Sequence, residues 1–212
     1  MKKKQILLVG GGGHCKSCID VIESTNEFEI AGVVDVKSNF GKTVLGYKVI
    51  GCDDDLPELK IQYNYAIVTI GQIKDPEFRK NMFHRLKKIG YKTPVIISSN
   101  SYVSKHSRIG EGTIIMHHAV VNAGVIIGKN NIINTKALIE HDITIGNNCH
   151  ISTNAVLNGN IKIGNDCFIG SNAVLINGVY IKDRINIGMK AMVIRSLNES
   201  GTYVGKLLKK IK

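Results

Sequence analysis

The sequence predicts two different folds in one chain: an α/β domain of the Rossmann type, followed by an all-β parallel β-helix. Three observations lead to this prediction. Apolar runs alternate with helix-like segments over residues 1–100, a six-residue apolar repeat runs from 103 to 193 within residues 101–212, and polar residues at 98–102 separate the two parts. A chain of 212 residues is long enough for two small domains.

The first hundred residues predict a small, doubly wound parallel sheet. Strands are predicted over 4–9, 28–34, 65–70 and 94–97, and helices over 14–24 and 78–89. In the first helix, Cys15, Cys18, Ile19 and Ile22 recur on one face. Because strands and helices alternate, the helices are expected on both sides of the sheet.

An aliphatic residue recurs at every sixth position from Val103 to Val193. All sixteen positions hold Ile, Val or Leu, a run that chance does not produce. A period of six is typical of a parallel β-helix, in which three hexads form one coil and the aliphatic side chain points inward. Glycine often follows the aliphatic residue, and we expect a positive φ there, as a turn would need: Gly110, Gly128, Gly146, Gly164, Gly170 and Gly188.

The cysteines and the lengths of the apolar runs limit the cellular compartment in which the protein is expected. Five cysteines do not form the pattern of a secreted disulfide framework. Cys15 and Cys18 have no second pair to close a zinc site, and Cys149 and Cys167 are expected to stack in the β-helix core, so we predict no metal. No apolar run approaches the ~20 residues of a membrane-spanning helix, and no signal peptide is recognised, which predicts a cytoplasmic protein.

The net charge of +11 is compatible with nucleic acid, anionic lipid or small anionic substrates. Seven of the 28 basic residues lie at the two ends of the chain, and there is no tryptophan. Basic and aromatic residues do not alternate, which gives a base-stacking surface little support. We therefore expect small anionic ligands and no nucleic acid.

Ligands of a parallel sheet bind at the carboxyl ends of its strands. Glycines 10–13 and His14 follow the first predicted strand, Asp35 the second, and Gly71 the third. Glycines let a phosphate approach a helix N-terminus, and a carboxylate suits a ribose or base donor. Cys15 stands where a dinucleotide fingerprint has its third glycine, so a turn that only links strand to helix is the alternative.

His141 lies between two acidic residues, of which one is Asp142, on an outward-facing part of the predicted coil. A carboxylate bonded to one imidazole nitrogen fixes the tautomer and leaves the other nitrogen as a general base. His150 lies half a coil further on, so the two rings are predicted on different faces and share a site only if a neighbouring subunit closes it. For both, an ordinary surface histidine is the alternative.

Two other histidines of the repeat, His117 and His118, are predicted to be surface residues without a function.

These motifs together resemble the family of sialic acid O-acetyltransferases and nucleotide-4-amino-sugar N-acetyltransferases. The resemblance rests on Gly12-Gly13-His14, on Asp35, and on the segment 134–152, which reads Asn-x-x-Ala-x-Ile-x-His-Asp-x-x-Ile-Gly-x-x-x-His-Ile-Ser, followed by Gly159. It spans nearly the whole chain.

The resemblance implies a left-handed β-helix, a homotrimer, and acetyl-CoA as co-substrate between adjacent subunits. The implied activity is acetyl-CoA-dependent N-acetylation of the 4-amino group of a nucleotide-linked amino sugar in bacterial surface glycan biosynthesis. His141 matches the catalytic base and Asp142 the acidic residue beside it, while His150 would position the thioester or stabilise the oxyanion. The implied acetyl-CoA contacts are His150, Ser171, Met189, Asn134 and Gly159, and the implied nucleotide-sugar contacts are Gly12, Gly13, His14, Asp35 and Gly71.

The sequence departs from the family pattern at three places. Val36 stands where a second acidic residue is often found, Gln72-Ile73 replaces asparagine after Gly71, and the C-terminal end at 205–209 differs. The nucleotide, the sugar and any contribution of Glu140 therefore stay open. Three alternative functions also stay open: O-acetylation of sialic acid, a non-catalytic β-helix scaffold, and a nucleic-acid or anionic-polymer binder that uses the basic ends.

Overall fold

A computed structural model describes residues 3–73 and 75–205 and contains both predicted folds. The departure at the C-terminal end lies outside the described residues from position 206 onward. Within the described parts of the chain, no helix is both long and apolar enough to cross a bilayer.

The first domain is a five-stranded sheet with helices on both sides. Four of its strands are parallel, in the order β4-β2-β1-β5, and β3 joins β4 antiparallel at one edge. Along the chain the elements are β1 (Lys4–Val9), α1 (Gly13–Glu23), β2 (Phe28–Val34), a 3₁₀ turn (Lys37–Asn39), β3 (Thr43–Val44), β4 (Tyr47–Gly51), a second 3₁₀ turn (Asp53–Asp55), α2 (Leu56–Gln62), β5 (Tyr65–Val68) and α3 (Glu77–Ile89).

Sequence patterns predict the elements with a strong apolar period and miss the others. Strands β1 and β2 have the predicted bounds, while α1 and α3 each begin one residue earlier than predicted. Helix α2 was missed because it buries a single residue, Leu56, and so has no apolar stripe. Strands β3 and β4 were missed for the same reason, since few of their side chains are buried.

The second part of the chain is a parallel β-helix with three faces, which are called A, B and C here. Strands within a face pair in parallel, for most of its length one coil of 18 residues apart, as Val120 does with Leu138. Face A contains β6 (Ile96–Ile97), β9 (Ile114–Ile115), β12 (Ile132–Ile133), β15 (His150–Ile151), β18 (Phe168–Ile169), β21 (Ile185–Ile187) and β23 (Gly201–Tyr203).

Faces B and C complete each coil. Face B contains β7 (Tyr102–Val103), β10 (Val120–Val121), β13 (Leu138–Ile139), β16 (Val156–Leu157), β19 (Val174–Leu175) and β22 (Met192–Val193), and face C contains β8 (Arg108–Ile109), β11 (Ile126–Ile127), β14 (Thr144–Ile145), β17 (Lys162–Ile163) and β20 (Tyr180–Ile181). The second residue of nearly every strand is the predicted aliphatic one and is buried in the interior. The six-residue repeat therefore builds one continuous core.

The strand predicted over 94–97 belongs to the β-helix and not to the first sheet. It is shorter than predicted, at Ile96–Ile97, and pairs in parallel with β9. Ile96 is buried in the core between the two parts, so pairing with face A covers it better than an edge position in the first sheet. The division of the chain at residue 100 stays a prediction.

The positive φ angles do not lie at the glycines that follow the aliphatic residues. Five of those six glycines, all except Gly188, are required because the coils stack closely: a Cβ at Gly110 would lie 2.5 Å from the carbonyl oxygen of Gly128. The left-handed residues come two positions later and are often asparagine or aspartate, which tolerate this conformation. They follow the six glycines in order as Gly112, Asn130, Asn148, Asp166, Asn172 and Lys190.

Helix α1 packs between the first sheet and face A. Its apolar face, with Cys15 and Cys18, shares a core with residues of face A such as Ile114, while α2 and α3 cover the opposite side of the sheet. All five cysteines are free thiols, and Cys149 and Cys167 lie in the β-helix core as expected. Burial raises the pKa of Cys15 to about 11, which keeps this thiol protonated.

Polar contacts fix the two domains against each other. His117 bonds to Ser98 through Nδ1 (2.6 Å) and to Asp20 of α1 through Nε2 (3.0 Å). The prediction that His117 is a surface residue without a role is therefore wrong, because contacts between distant segments are not visible in the repeat. Lys80 of α3 forms a second link, with Nζ 3.0 Å from the Asp166 carboxylate on the β-helix.

Candidate active site

A cavity of about 470 Å³ opens at the carboxyl edge of the first sheet. Strands β2, β1 and β5 lie side by side and parallel, so the residues that follow them arrive at the same edge. All five residues assigned to the nucleotide-sugar line this cavity: Gly12, Gly13, His14, Asp35 and Gly71. Because α1 begins at Gly13, its N-terminus favours an anionic group such as a phosphate.

Local packing holds this edge in place. Gly10 has φ of 107°, and a Cβ there would overlap Ile70, so glycine is required. The Thr69 hydroxyl donates to the Gly10 carbonyl at 2.7 Å. Asp35 accepts a hydrogen bond from the Asn39 amide at 2.8 Å, and a Cβ at Gly11 would lie 2.7 Å from the same carboxylate. The carboxylate is thus oriented before any ligand binds.

Several residues that line the cavity were not assigned to it from the sequence, among them Asp53, Ile73 and Phe78. Desolvation raises the pKa of Asp53, against a smaller opposing effect of Arg85. The acidic run at 53–55 was a usable signal. It was missed because β4, the strand that delivers it to this edge, was not predicted.

A second cleft of about 620 Å³ lies along face A. Four of the five residues assigned to acetyl-CoA line it, namely Asn134, His150, Ser171 and Met189, whereas Gly159 does not. Other lining residues were missed, although counting 18 residues onward from Asn134 and His150 finds some of them. The missed residues are Ile73, Ser152, Phe168, Gly170, Asn186, Ile187, Gly188 and Thr202.

His150 is held on both ring nitrogens. Nδ1–H donates to the Gln72 carbonyl at 2.5 Å, and Nε2 accepts from the Asn134 amide at 3.0 Å. The amide is oriented by its own oxygen, which accepts from the Thr135 N–H at 2.8 Å. Burial lowers the pKa of His150 to about 4, so the ring is neutral near pH 7. It has no free hydrogen for a thioester oxygen, which favours the positioning role over the oxyanion role.

His14 is a second histidine near the domain junction, and its side chain is partly buried. Burial lowers its pKa to about 3, with smaller contributions from the buried Arg79 and from His150. Two nitrogens of Arg79 have no hydrogen-bond partner among the described residues, and its Nη1 donates to the Val68 carbonyl at 3.1 Å. The junction therefore keeps both histidines uncharged at neutral pH.

The lowered pKa values of His14 and His150 predict that the folded protein loses stability in acid. Both folded pKa values lie below the unfolded value of about 6.5, so the unfolded chain binds more protons as the pH falls below 6.5. The free energy of unfolding should be greatest above pH 6.5 and fall by roughly 1–2 kcal/mol per histidine on going to pH 5. Urea titrations at several pH values should show this slope.

Two variants test the source of that slope. His14→Gln and His150→Gln should each flatten it, whereas His106→Gln, at an exposed position, should leave it unchanged. Equal slopes in all three variants would show that the buried histidines do not control acid stability.

His141 and Asp142 lie at the corner between faces B and C, after β13 and before β14. The His141 Nδ1 and the Asp142 Oδ2 are 2.9 Å apart, and both side chains are more than half exposed. Nδ1–H therefore donates to the carboxylate, and Nε2, which lies beside Gly159, is left as an acceptor.

Two glycines make room for this pair. A Cβ at Gly159 would lie 2.7 Å from the His141 ring, and one at Gly124 would overlap the Asp142 carboxylate. Gly159 thus packs beside the predicted base, and its contact with acetyl-CoA stays a prediction. Glu140 accepts a hydrogen bond from the Asn122 amide at 3.0 Å, so the Glu140 carboxylate already has a partner within the β-helix.

Within one chain, the His–Asp pair and the cleft do not converge. His141 lies at the corner of faces B and C, whereas His150 lies on face A. This agrees with the predicted separation of the two rings. A cavity at a helix N-terminus, a second cleft on a β-helix and a half-exposed imidazole bonded to a carboxylate are the arrangement expected of an acyltransferase of the hexapeptide-repeat class.

Comparison with known families and structures gives the same class. The PglD N-terminal domain family matches residues 5–86, the bacterial transferase hexapeptide family matches 124–159, and the hexapeptide repeat of succinyl-transferase matches 160–190. No curated protein sequence matches the chain.

Solved structures cover nearly the whole chain. The structure of an asparagine variant of perosamine N-acetyltransferase from Caulobacter crescentus, in complex with CoA and GDP-perosamine, is 31% identical, with a TM-score of 0.89 over 95% of this chain and 93% of that one. The acetyltransferase domain of PglB from Neisseria gonorrhoeae with acetyl coenzyme A is 26% identical, with a TM-score of 0.87 over 96% and 97%. WeeI from Acinetobacter baumannii, at 24% identity and a TM-score of 0.80 over 96% and 97%, shares the fold.

The chain belongs to the family of left-handed β-helix acetyltransferases with a PglD-type N-terminal domain, whose members act on nucleotide-linked amino sugars. It is an acetyltransferase, and acetyl-CoA is its co-substrate.

Proposed function

We propose that this enzyme transfers an acetyl group from acetyl-CoA to the 4-amino group of a nucleotide-linked amino sugar. The observation that carries the proposal is the His141–Asp142 pair, in which the carboxylate holds Nδ1–H at 2.9 Å and leaves Nε2 free to accept a proton. The related perosamine N-acetyltransferase, whose structure contains both CoA and GDP-perosamine, supports this choice of acceptor.

The reaction needs one proton acceptor and no acyl-enzyme. The neutral amine attacks the thioester carbonyl, an N–C bond forms, and Nε2 of His141 takes a proton from the nitrogen as its positive charge develops. The tetrahedral intermediate then collapses, the C–S bond breaks, and the thiolate of CoA leaves and takes up the proton that His141 holds. The products are the N-acetyl sugar and free CoA. Asp142 stabilises the imidazolium that forms in between.

The two substrates occupy the two cavities. The nucleotide end of the acceptor binds at Gly12, Gly13 and Asp35, and acetyl-CoA binds in the cleft along face A at Ser171 and Met189. Both substrates are polyanions, so the net charge of +11 favours their approach. We expect the enzyme to act in the cytoplasm, where both substrates are available.

The enzyme acts as a homotrimer in this proposal, because the His–Asp pair of one subunit then faces the cleft of the next. Face B supports an interface of this kind. Its outward-facing side chains form an apolar column along the β-helix, and contiguous exposed apolar surface often marks a contact surface. The column contains Tyr102, Val120, Leu138, Val156, Val174 and Met192, of which Tyr102 is 60% and Met192 79% exposed.

A charge placed in this column should dissociate the subunits. Val174→Glu is expected to shift the protein to monomers in sedimentation velocity and to abolish most of the turnover, since a monomer lacks a complete site. Lys162→Glu, on the exposed side of face C, changes charge in the same sense and should leave the assembly intact. A wild-type monomer with full turnover would contradict the shared site.

The reaction itself is tested by thiol release. The enzyme, acetyl-CoA and a panel of GDP- and UDP-linked 4-amino sugars and free sialic acids should give CoA thiol only with amino sugars. Release with sialic acid alone would overturn N-acetylation, and release with none would overturn the proposal.

A further inference from the structure

Residues 70–73, between β5 and α3, form a wall that two sites share. Ile70 and Gly71 line the cavity at the sheet edge, and Ile73 lines both this cavity and the cleft on face A. Gln72 lies between them and lines neither. It is 3% exposed and turns toward the β-helix. The names acceptor cavity and acetyl-CoA cleft, used below, rest on the proposed function.

Gln72 makes two hydrogen bonds across the domain junction. Its side-chain amide donates to the Asn148 carbonyl at 2.8 Å, and its own carbonyl accepts from Nδ1–H of His150 at 2.5 Å. These partners lie 76 and 78 residues away in sequence. The side-chain oxygen of Gln72 has no partner among the described residues, so the Nε2 donor is the group that ties this side chain to face A.

This contact sets the state of His150. Because the Gln72 carbonyl takes the Nδ1 hydrogen, Nε2 has none and accepts from Asn134, a residue that lines the acetyl-CoA cleft. The Phe168 ring packs against His150 edge to face at 5.3 Å, and it lines the same cleft. A displaced Gln72 would therefore free His150 to change tautomer and would disturb the wall of the cleft.

We propose that Gln72 is a positioning residue that fixes the wall 70–73 against face A and so sets the geometry of both substrate sites at once. Asp35 lies in the acceptor cavity alone, and Ser171 and Met189 lie in the cleft alone. Gln72 reaches the acceptor cavity through Gly71 and the cleft through His150. Loss of its side-chain amide should thus weaken the binding of ligands in both sites.

The test compares Gln72→Met with wild type, using CoA as the probe of the cleft and GDP or UDP as the probe of the cavity. Methionine has nearly the same length and lacks the donor. Calorimetry should show both ligands bound about 5- to 50-fold more weakly, the usual effect of losing one buried hydrogen bond. Gln62→Met, at an exposed position of α2, should bind both as wild type does.

A second measurement reports on His150 directly. In ¹⁵N-histidine NMR spectra, wild type should show Nδ1 protonated and Nε2 unprotonated, and Gln72→Met should show the other tautomer as well. Gln72→Asn keeps an amide and should lie between the two, which keeps the test valid if the methionine variant folds poorly. Affinities within twofold of wild type for both ligands, with an unchanged tautomer, would overturn the proposal.

These outcomes are separate from those of the proposed function, because they measure binding and tautomer without turnover. An enzyme that releases no thiol with any amino sugar can still show the effect of Gln72. Equally, an enzyme that acetylates amino sugars can show no effect of Gln72 on binding or on the His150 tautomer.

Discussion

Replacing His141 with alanine should lower kcat by roughly 10²- to 10⁴-fold, the usual contribution of a general base. The variant loses the only group of the pair that can accept the proton of the attacking amine. Its side chain is 54% exposed and contributes little packing, so the thermal midpoint should stay close to that of wild type. Steady-state thiol release and a thermal melt measure the two effects.

Two further variants make this prediction specific. Asp142→Asn keeps the size of the side chain but no longer selects the Nδ1–H tautomer, so we expect a smaller loss in kcat. His106→Ala, at an exposed position of the β-helix, should leave turnover unchanged. Wild-type rates in His141→Ala would refute the assignment of the base.

Replacing Asp35 with alanine should raise the KM of the acceptor roughly 5- to 150-fold and leave the KM of acetyl-CoA nearly unchanged. The carboxylate is held by Asn39 at the edge of the acceptor cavity, and in the proposed function it accepts a hydrogen bond from the nucleotide. Loss of such a bond costs about 1–3 kcal/mol. The two Michaelis constants, measured with the other substrate at saturation, give the contrast.

Asp54→Ala is the matched control. Asp54 lies in the same acidic run as the cavity residue Asp53, but its side chain is 89% exposed and paired with Arg85. We expect both Michaelis constants to match those of wild type. If Asp35→Ala left the KM of the acceptor unchanged and raised the KM of acetyl-CoA, the assignment of the acceptor to the first domain would be contradicted.

The sequence by itself determined the elements whose residues repeat with a fixed period or end at a fixed edge. The six-residue repeat specifies the β-helix, because each aliphatic residue must point into one narrow core. The glycines after β1, Asp35 after β2 and Gly71 after β5 predict one cavity, because parallel strands deliver their carboxyl ends together. The His141–Asp142 bond was predictable because the two residues are adjacent in the chain.

Other features were decided by the tertiary structure, since they join segments far apart in sequence. The glycines of the coils serve close stacking, with positive φ two residues later, and only the distance between coils shows this. His117 bonds to Asp20, and Gln72 bonds to Asn148 and His150, across the junction between the domains. No periodic pattern records such contacts, because they depend on how α1 and the wall 70–73 pack against face A.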